Sequence, residues 1–319
     1  MPKSNRRNFI KSVVAGGAAL GFGRAAAAPA STGTASGRVD RRPLGRIKTP
    51  VSILGLGLGS VYRNATGTPE AAAELLEHAL SRGINFWDTC RGYQTSEELT
   101  GPVVAKRRDE IFLVTKSGSR DYDGFMRDFE TSLNKLQTDY IDLMHIWNLK
   151  PKDDVNVIEK GAFKAIQKLR DEKVIGSFGI TGHSGIEILK QCILRLDPDA
   201  MLTVFPCTRP DNGEYEDVLL PLARERNMGV IAMKTVRRAR NADLKGTDLI
   251  RYALSLEGVH SAIVGTDTIG HIDDNSKMAT HFKPLTSAEQ VAMHNTVIER
   301  LAGTVEPWKM PGYDDGAWA

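Results

Sequence analysis

The strongest fold signal in the sequence is the segment Ile84-Asn85-Phe86-Trp87-Asp88-Thr89-Cys90-Arg91-Gly92-Tyr93. Its apolar run, which includes two aromatic residues, is typical of a buried strand and ends in the carboxylate of Asp88. A turn with Gly92 follows, and Glu97 and Glu98 then stand where the first turn of a helix is expected. The segment therefore predicts a strand, a loop and a helix, with polar groups at the carboxyl end of the strand.

Three strand-like runs further along the chain also carry an unusual polar residue near their carboxyl ends. These residues are Lys116, His145 and Lys234, and each lies in or just after an apolar run. The carboxyl ends of parallel strands meet at one edge of a sheet or one end of a barrel. We therefore expect these side chains to belong to a single site.

Strand-like and helix-like segments alternate regularly over roughly 250 residues, which is typical of a (β/α)8 TIM barrel. Counting the first run, which ends in the glycine-rich segment 55–59, there are eight strand candidates. The other seven lie at about 84–90, 110–116, 140–147, 174–181, 200–207, 228–235 and 261–265. The predicted fold class is therefore α/β. The alternative, a doubly wound open sheet, would have to accommodate an eighth unit without a domain break.

Two apolar stripes of helical period would face the sheet. One stripe comprises Phe125, Phe129, Leu133 and Leu136, and the other Ile158, Ala162, Ala165, Ile166 and Leu169.

The two ends of the barrel region carry additional elements. Residues 42–46 and 51–54 predict an N-terminal β-hairpin that leads into the first strand. Residues 287–302 predict a C-terminal helix, and an aromatic tail follows it. The tail contains Trp308, Tyr313 and Trp318, for which two roles remain open: closing the pocket or packing on the surface.

The first 30 residues have the composition of a targeting segment. Arg6 and Arg7 precede a mild apolar segment, which an alanine-rich stretch follows. This order resembles a bacterial twin-arginine signal, which predicts recognition by the twin-arginine export machinery and a periplasmic or exported protein. The alternative is a disordered basic tail, and cleavage near Ala27 or Ala30 remains open. The chain is accordingly divided into a signal peptide at 1–30, a linker at 31–41 and the barrel at 42–319.

Composition excludes several classes of protein. The signal segment holds five basic residues and no acidic one, so its removal changes the formal charge from +3 to −2 and gives no argument for nucleic-acid binding. No apolar run reaches the roughly 20 residues that a membrane span requires, so none is expected in the mature protein. The three cysteines, Cys90, Cys192 and Cys207, are far apart in sequence. They predict no disulfide framework, metal site or iron–sulfur cluster.

Asp88, Tyr93 and Lys116 together can form an acid/base device. A cation near a phenol stabilises the phenolate and lowers a pKa that starts near about 10, and a carboxylate holds that cation in place. A tyrosine of this kind can protonate a carbonyl oxygen while hydride arrives at the carbon. Taken singly, Asp88 would cap a helix, Tyr93 would pack and Lys116 would be a solvated strand end.

The combination resembles the aldo-keto reductase superfamily. The block from Gly83 to Tyr93 is similar to that family's GxxxFDTAxxY, with Asp88 and Tyr93 five positions apart, and Lys116 ends the next strand. The resemblance extends from Arg42 to about 282. It implies an oxidoreductase that interconverts a carbonyl and an alcohol, with Tyr93 as the general acid/base.

The resemblance also implies a nicotinamide dinucleotide, NAD or NADP, lying across the barrel mouth. Residues 263–275 are similar to the family's IPGxxxxxxxxxEN pattern, and residues 180–183 stand at its GVSNF position. The cofactor-binding residues implied in this way are Gly57, Thr181, Lys234, Thr235, Gly265, Thr266, His271, Asp274 and Asn275. Gly55–Gly59 lacks the GxGxxG spacing of a Rossmann loop.

The sequence departs from the family at the fourth catalytic position. Five residues after Asp142, where the family has a histidine, this chain has Trp147. His145 lies on the same strand face one layer deeper, so it would either substitute for that histidine or be a core residue. His183, in the next loop, is the remaining candidate. Trp147 and His183 are therefore the expected substrate contacts, and the indole of Trp147 would suit a sugar or another flat substrate.

Two questions of function remain open at this stage. Asp267 and His271 stand where relatives have a cation for the 2′-phosphate of NADP, which favours NAD. An exported enzyme would need its dinucleotide tightly bound before export, since free cofactor is scarce outside the cytoplasm. The alternative is a catalytically weakened barrel that binds a ligand or partner in the periplasm.

Overall fold

The structure, a computed structural model, describes residues 37–207, 213, 215–236, 243–313 and 315. The signal peptide predicted at 1–30, residues 31–36 of the predicted linker, and Trp318 lie outside these residues.

Eight strands of the described chain form a closed parallel barrel, so the predicted fold class is confirmed. In chain order they are β3 (Leu54–Gly57), β4 (Phe86–Asp88), β5 (Phe112–Ser117), β6 (Ile141–Ile146), β7 (Ile175–Thr181), β8 (Ala200–Val204), β9 (Gly229–Met233) and β10 (Ser261–Gly265). Each strand pairs with the next, and β10 closes the barrel on β3, with Ile263 opposite Gly55. Every residue of β4, β5 and β6 is buried because parallel strands are covered on both faces.

Helices surround the barrel. They are α1 (Ser60–Thr66), α2 (Pro69–Ser81), α3 (Ser96–Arg107), α4 (Tyr122–Leu136), α5 (Val155–Lys160), α6 (Ala162–Asp171), α7 (Ile186–Leu196), α8 (Leu220–Glu225), α9 (Gly246–Ser255), α10 (Ile269–Thr280) and α11 (Ser287–Arg300). Helix α11 is the predicted C-terminal helix and ends two residues earlier than expected. No helix in the described part of the chain is long and apolar enough to cross a membrane.

The second predicted stripe belongs to two helices rather than one. Ile158 lies in α5, and the other members of the stripe lie in α6, with Gly161 between the helices. A Cβ atom at Gly161 would lie 2.2 Å from the carbonyl oxygen of Arg120, so the chain breaks the helix where it passes close to another backbone segment.

The predicted N-terminal hairpin is confirmed and covers one end of the barrel. It consists of β1 (Arg41–Leu44) and β2 (Ile47–Ser52), which are antiparallel. Gly45, at its turn, has φ +56°, and a Cβ atom there would lie 2.3 Å from the backbone nitrogen of Gly229, where β9 begins. The backbone N–H of Arg46 donates to the carbonyl of Asn227 at 2.7 Å. The hairpin therefore covers the amino-terminal end of the barrel and leaves the carboxyl ends of the strands as the open mouth.

Candidate active site

A buried ion pair joins two neighbouring strands at the mouth of the barrel. Asp88 is the last residue of β4, and Lys116 is the last but one of β5. The ammonium of Lys116 donates to Asp88 Oδ2 at 2.6 Å and to the carbonyl of Thr89 at 2.7 Å. Burial raises the pKa of Asp88, and the charge of Lys116 opposes that rise. The two residues predicted as partners are therefore in contact.

The loop that carries Tyr93 is fixed by bonds to the same two strands. The backbone N–H of Arg91 donates to the carbonyl of Lys116 at 3.0 Å, and the Arg91 guanidinium pairs with Glu97. Glu97 is fully buried and also accepts from the hydroxyl of Thr115 at 2.7 Å. These contacts hold Tyr93 above the lysine, with the ammonium of Lys116 5.0 Å from the centre of the Tyr93 ring.

The acidity of Tyr93 differs from the sequence-based expectation. Burial, followed by the negative charge of Asp315, holds the pKa of the Tyr93 phenol well above its usual range, whereas a lowered pKa was expected from Lys116. The physical reason is that removal of the phenol from water disfavours its charged form, and the neighbouring carboxylates disfavour it further. Tyr93 is therefore protonated at neutral pH and is suited to donate a proton.

Trp147, which occupies the position where the resemblance implies a histidine, lies beside Tyr93. The two rings meet edge to face with their centres 5.9 Å apart. The indole also lies over Gly92 and Gly118, where a Cβ atom would come within 2.5 Å and 3.3 Å of it. Trp147 therefore forms part of the wall around Tyr93.

His145 lies one layer deeper and is completely buried. Its ring packs on Gly179 of β7, where a Cβ atom would come within 2.6 Å of it. Burial, with the nearby charge of Lys116, lowers the pKa of His145 to about 3. Its surroundings are those of a neutral imidazole in the barrel core.

A cavity of about 990 Å³ opens at the mouth and brings together many of the predicted residues. Its lining includes Asp88 and Tyr93 of the catalytic set and Gly57, Lys234, Thr235, Gly265, His271, Asp274 and Asn275 of the cofactor set. Two residues of the predicted cofactor set, Thr181 and Thr266, are not part of the lining. Thr181 is buried at the end of β7. The hydroxyl of Thr266 donates to the carbonyl of Val264 at 3.2 Å.

The lining of this cavity suits an extended polar ligand. The hydroxyl of Thr235 is buried and has no hydrogen-bond partner among the described residues. The carboxylate of Asp267, also in the lining, contacts Nδ1 of His271 at the start of α10. The hydroxyl of Thr235, which has no partner among the described residues, is a group that a dinucleotide would satisfy, and a carboxylate beside a helix start can accept from ribose hydroxyls.

The sequence did not identify Asp315, which belongs to the C-terminal tail. Its carboxylate is buried, lines the same cavity, and accepts from the ammonium of Lys234 at 2.6 Å and the hydroxyl of Tyr313 at 2.9 Å. Tyr313 also meets His183 edge to face, with ring centres 5.5 Å apart. Tyr313 therefore contacts Asp315, which lines the cavity, although Tyr313 itself is not part of the lining.

The described residues contain no group of three or more His, Cys, Asp or Glu side chains that would hold a metal ion. Cys90, Cys192 and Cys207 are buried free thiols.

The chain is similar to known proteins in sequence and in structure. The model of the Aldo/keto reductase family matches residues 53–249. The chain is similar to the Bacillus subtilis oxidoreductase YqkF, with 28% identity over 62% of this chain and 65% of that protein. It is also similar to the D-arabinose 1-dehydrogenase of Saccharomyces cerevisiae, with 31% identity over 42% of this chain and 43% of that protein. The matched stretches thus span less than two thirds of both relatives.

A solved structure shares the fold. It is an aldo-keto reductase from Bacillus halodurans in its holo form, and it superposes with a TM-score of 0.70 at 22% identity. The match covers 81% of this chain and 96% of that one.

The buried pair predicts a specific pattern of stability. The change Asp88→Ala leaves the Lys116 ammonium buried without its carboxylate, so we expect the free energy of unfolding to fall by about 3–5 kcal/mol. The double variant Asp88→Ala/Lys116→Met should lose less, because it has no buried charge. Urea denaturation of both variants measures this difference, and a larger loss for the double variant would contradict the assigned pairing.

Proposed function

The chain belongs to the aldo/keto reductase family, and we propose that it is an NAD(P)-dependent oxidoreductase that interconverts a carbonyl and an alcohol. The substrate class comprises aldehydes, ketones and sugars. The observation that carries this proposal is the ammonium of Lys116, held by Asp88 and lying 5.0 Å from the ring centre of Tyr93 at the cavity.

In this proposal Tyr93 is the general acid/base. In the reducing direction its hydroxyl donates a proton to the carbonyl oxygen, and the resulting phenolate is stabilised by the neighbouring ammonium of Lys116. Asp88 keeps that ammonium charged and in place. In the oxidising direction the phenolate takes the proton of the alcohol, a role for which the raised pKa of Tyr93 is less favourable.

The residues of the cavity fit a nicotinamide dinucleotide, which supplies or accepts the hydride when it is bound. Gly265 at the end of β10, with Asp274 and Asn275 in the middle of α10, would hold its adenosine half. Lys234 and Thr235, next to β9, would lie beside its nicotinamide and pyrophosphate. The hydroxyl of Thr235, for which the described part of the chain offers no hydrogen-bond partner, supports this assignment.

Replacement of the usual histidine by Trp147 changes what orients the substrate. The indole ring meets Tyr93 edge to face and offers an apolar surface beside it. Such a surface suits the face of a sugar ring, and similarity to a sugar dehydrogenase supports this class. His183 and His145 stay candidates for the role of the missing histidine, and burial with the charge of Lys234 lowers the pKa of His183.

We also propose that the protein is exported by the twin-arginine machinery and carries its dinucleotide with it. The paired Arg6 and Arg7 and the alanine-rich stretch support this proposal. That route carries folded proteins, so the cofactor would be bound before the protein leaves the cytoplasm.

The change Tyr93→Phe tests the assigned acid. We expect kcat/KM for carbonyl reduction to fall by at least about 100-fold, because the phenyl ring has no proton to give, while dinucleotide binding measured by fluorescence titration stays nearly unchanged. Tyr140→Phe, in which a hydroxyl is lost just before β6 at the opposite end of the barrel, is the matched control. Failure of the wild-type protein to bind NAD(H) or NADP(H) would overturn the oxidoreductase and favour a ligand-binding barrel.

The charge of Asp267 predicts the choice of dinucleotide. We expect the wild-type protein to bind NADH more tightly than NADPH, because this carboxylate repels a 2′-phosphate. Asp267→Asn should shift the ratio of the two dissociation constants toward NADPH by about tenfold. Asp273→Asn serves as the control. It also removes one negative charge, but Asp273 lies on α10 and contacts His78 and Arg82 of the α2 region. An unchanged ratio in Asp267→Asn would contradict this role.

The proposed export requires the paired arginines Arg6 and Arg7. Replacing Arg6 and Arg7 by lysine should retain the protein in the cytoplasm, whereas Arg24→Lys, in the same leader, should leave export intact. Fractionation of cells and immunoblotting measure the distribution. Equal periplasmic amounts for the paired variant and the wild type would argue for a basic tail without a signal function.

A further inference from the structure

The C-terminal tail brings a carboxylate into the wall of the candidate substrate cavity. Asp315 is only 8% exposed, and it lines the same cavity as Asp88 and Tyr93. Its Oδ1 atom accepts from the ammonium of Lys234 at 2.6 Å and from the hydroxyl of Tyr313 at 2.9 Å. Tyr313 in turn accepts from Lys234 at 2.7 Å. Tyr313 and Asp315 of the tail are therefore bonded to Lys234, the residue directly after β9.

The second carboxylate oxygen faces two ring nitrogens. Asp315 Oδ2 lies 3.4 Å from the indole Nε1 of Trp147 and 3.7 Å from Nε2 of His183. The second distance is too long for a hydrogen bond, and neither ring nitrogen of His183 has a hydrogen-bond partner among the described residues. A hydroxyl that reaches Asp315 Oδ2 from the cavity would meet a carboxylate acceptor that already accepts from the indole of Trp147, with the imidazole of His183 nearby.

Lys234 is held in an unusual backbone conformation. Its φ is +60°, in the left-handed region that residues with side chains seldom adopt. Such positions persist where the surrounding structure requires them and are common at functional sites. This conformation places the Lys234 side chain, which is 8% exposed, against the tail at the cavity.

The charge of this wall depends on Asp315. Although burial alone would raise it, Lys234 together with His183 holds the pKa of the Asp315 carboxyl well below its usual range, so the group is ionised at neutral pH. Without that negative charge, the ammonium of Lys234 would be a buried cation at the cavity, and a buried cation attracts any anion that can reach it.

We propose that Asp315 is a specificity-determining residue that neutralises Lys234 and so selects neutral, hydroxyl-bearing carbonyl substrates over substrates carrying a phosphate or carboxylate. The proposal rests on the proposed oxidoreductase function, since it assigns the substrate class of that site. Asp315 would favour a neutral substrate by accepting a hydrogen bond from its hydroxyl at the oxygen that faces Trp147 and His183. The same carboxylate would repel an anionic substrate at this wall.

Binding of inorganic phosphate tests the charge assignment without turnover. Thermal unfolding is followed while phosphate is titrated against chloride at equal ionic strength. Asp315→Asn should bind phosphate at least about tenfold more tightly than the wild type. Adding Lys234→Met to that variant should remove the gain. Tyr313→Phe, which keeps both charges, should match the wild type. Repeating each titration with saturating NADH separates phosphate bound at this wall from phosphate bound at the pyrophosphate position beside Lys234.

Two results would overturn the proposal: equal phosphate affinity in the wild type and Asp315→Asn, or a gain that persists in the double variant. If Asp315→Asn unfolds too readily for titration, Lys234→Met alone gives the reverse test. It leaves the Asp315 carboxylate without its cation, so phosphate binding should become weaker than in the wild type, and unchanged binding would count against the proposal.

Turnover gives the second measurement. The ratio of kcat/KM for D-glyceraldehyde to that for its 3-phosphate should favour the neutral aldehyde in the wild type and shift toward the phosphate by at least about tenfold in Asp315→Asn. An unchanged ratio overturns the selectivity. If the wild type reduces neither aldehyde, that result counts against the proposed function, and the phosphate titration still decides the role of Asp315.

Discussion

The buried ion pair between Lys116 and Asp88 is the interaction on which the rest of the site depends. A charged lysine near the carboxyl end of a buried strand costs free energy to bury, and its carboxylate partner on the adjacent strand offsets that cost. The same lysine donates to the carbonyl of Thr89 and accepts, through its own carbonyl, from the N–H of Arg91. The loop that carries Tyr93 is thus attached to both strands. The contacts of Lys116 therefore tie together the two paired strands, the conformation of the loop and the position of the phenol.

A second lysine–carboxylate pair lies on another part of the same mouth. Lys116 and Asp88 come from paired strands, whereas Lys234 follows β9 and Asp315 belongs to the tail. Each pair neutralises a cation that would otherwise lie buried at the cavity. Trp147 lies between them, with its ring edge to face with Tyr93 and its N–H toward Asp315. The phenol is therefore surrounded by paired charges and aromatic surface, and burial in that setting keeps it protonated.

The sequence predicted those features that depend on local pattern. Apolar runs of the right length gave the eight strands, and polar residues at their ends gave Asp88, Tyr93 and Lys116 at one mouth. The break at Gly161 was missed because it arises from the approach of Arg120, a contact far away in sequence. Asp315 was missed for a similar reason, since its partner Lys234 lies on a distant strand. The pKa of Tyr93 is raised by burial and by that same tail carboxylate, and the spacing of residues in the sequence reveals neither effect.

The pairing of β3 with β10 has a consequence for how the chain acquires its structure during synthesis. The first barrel strand ends at Gly57, and its partner spans Ser261–Gly265, so the ring lacks its final hydrogen bonds until the ribosome has made almost the whole chain. Until then β3 presents an unpaired edge, and contacts so distant in sequence form slowly. A nascent chain of this protein is therefore exposed to edge-to-edge association for longer than a helical protein of equal length.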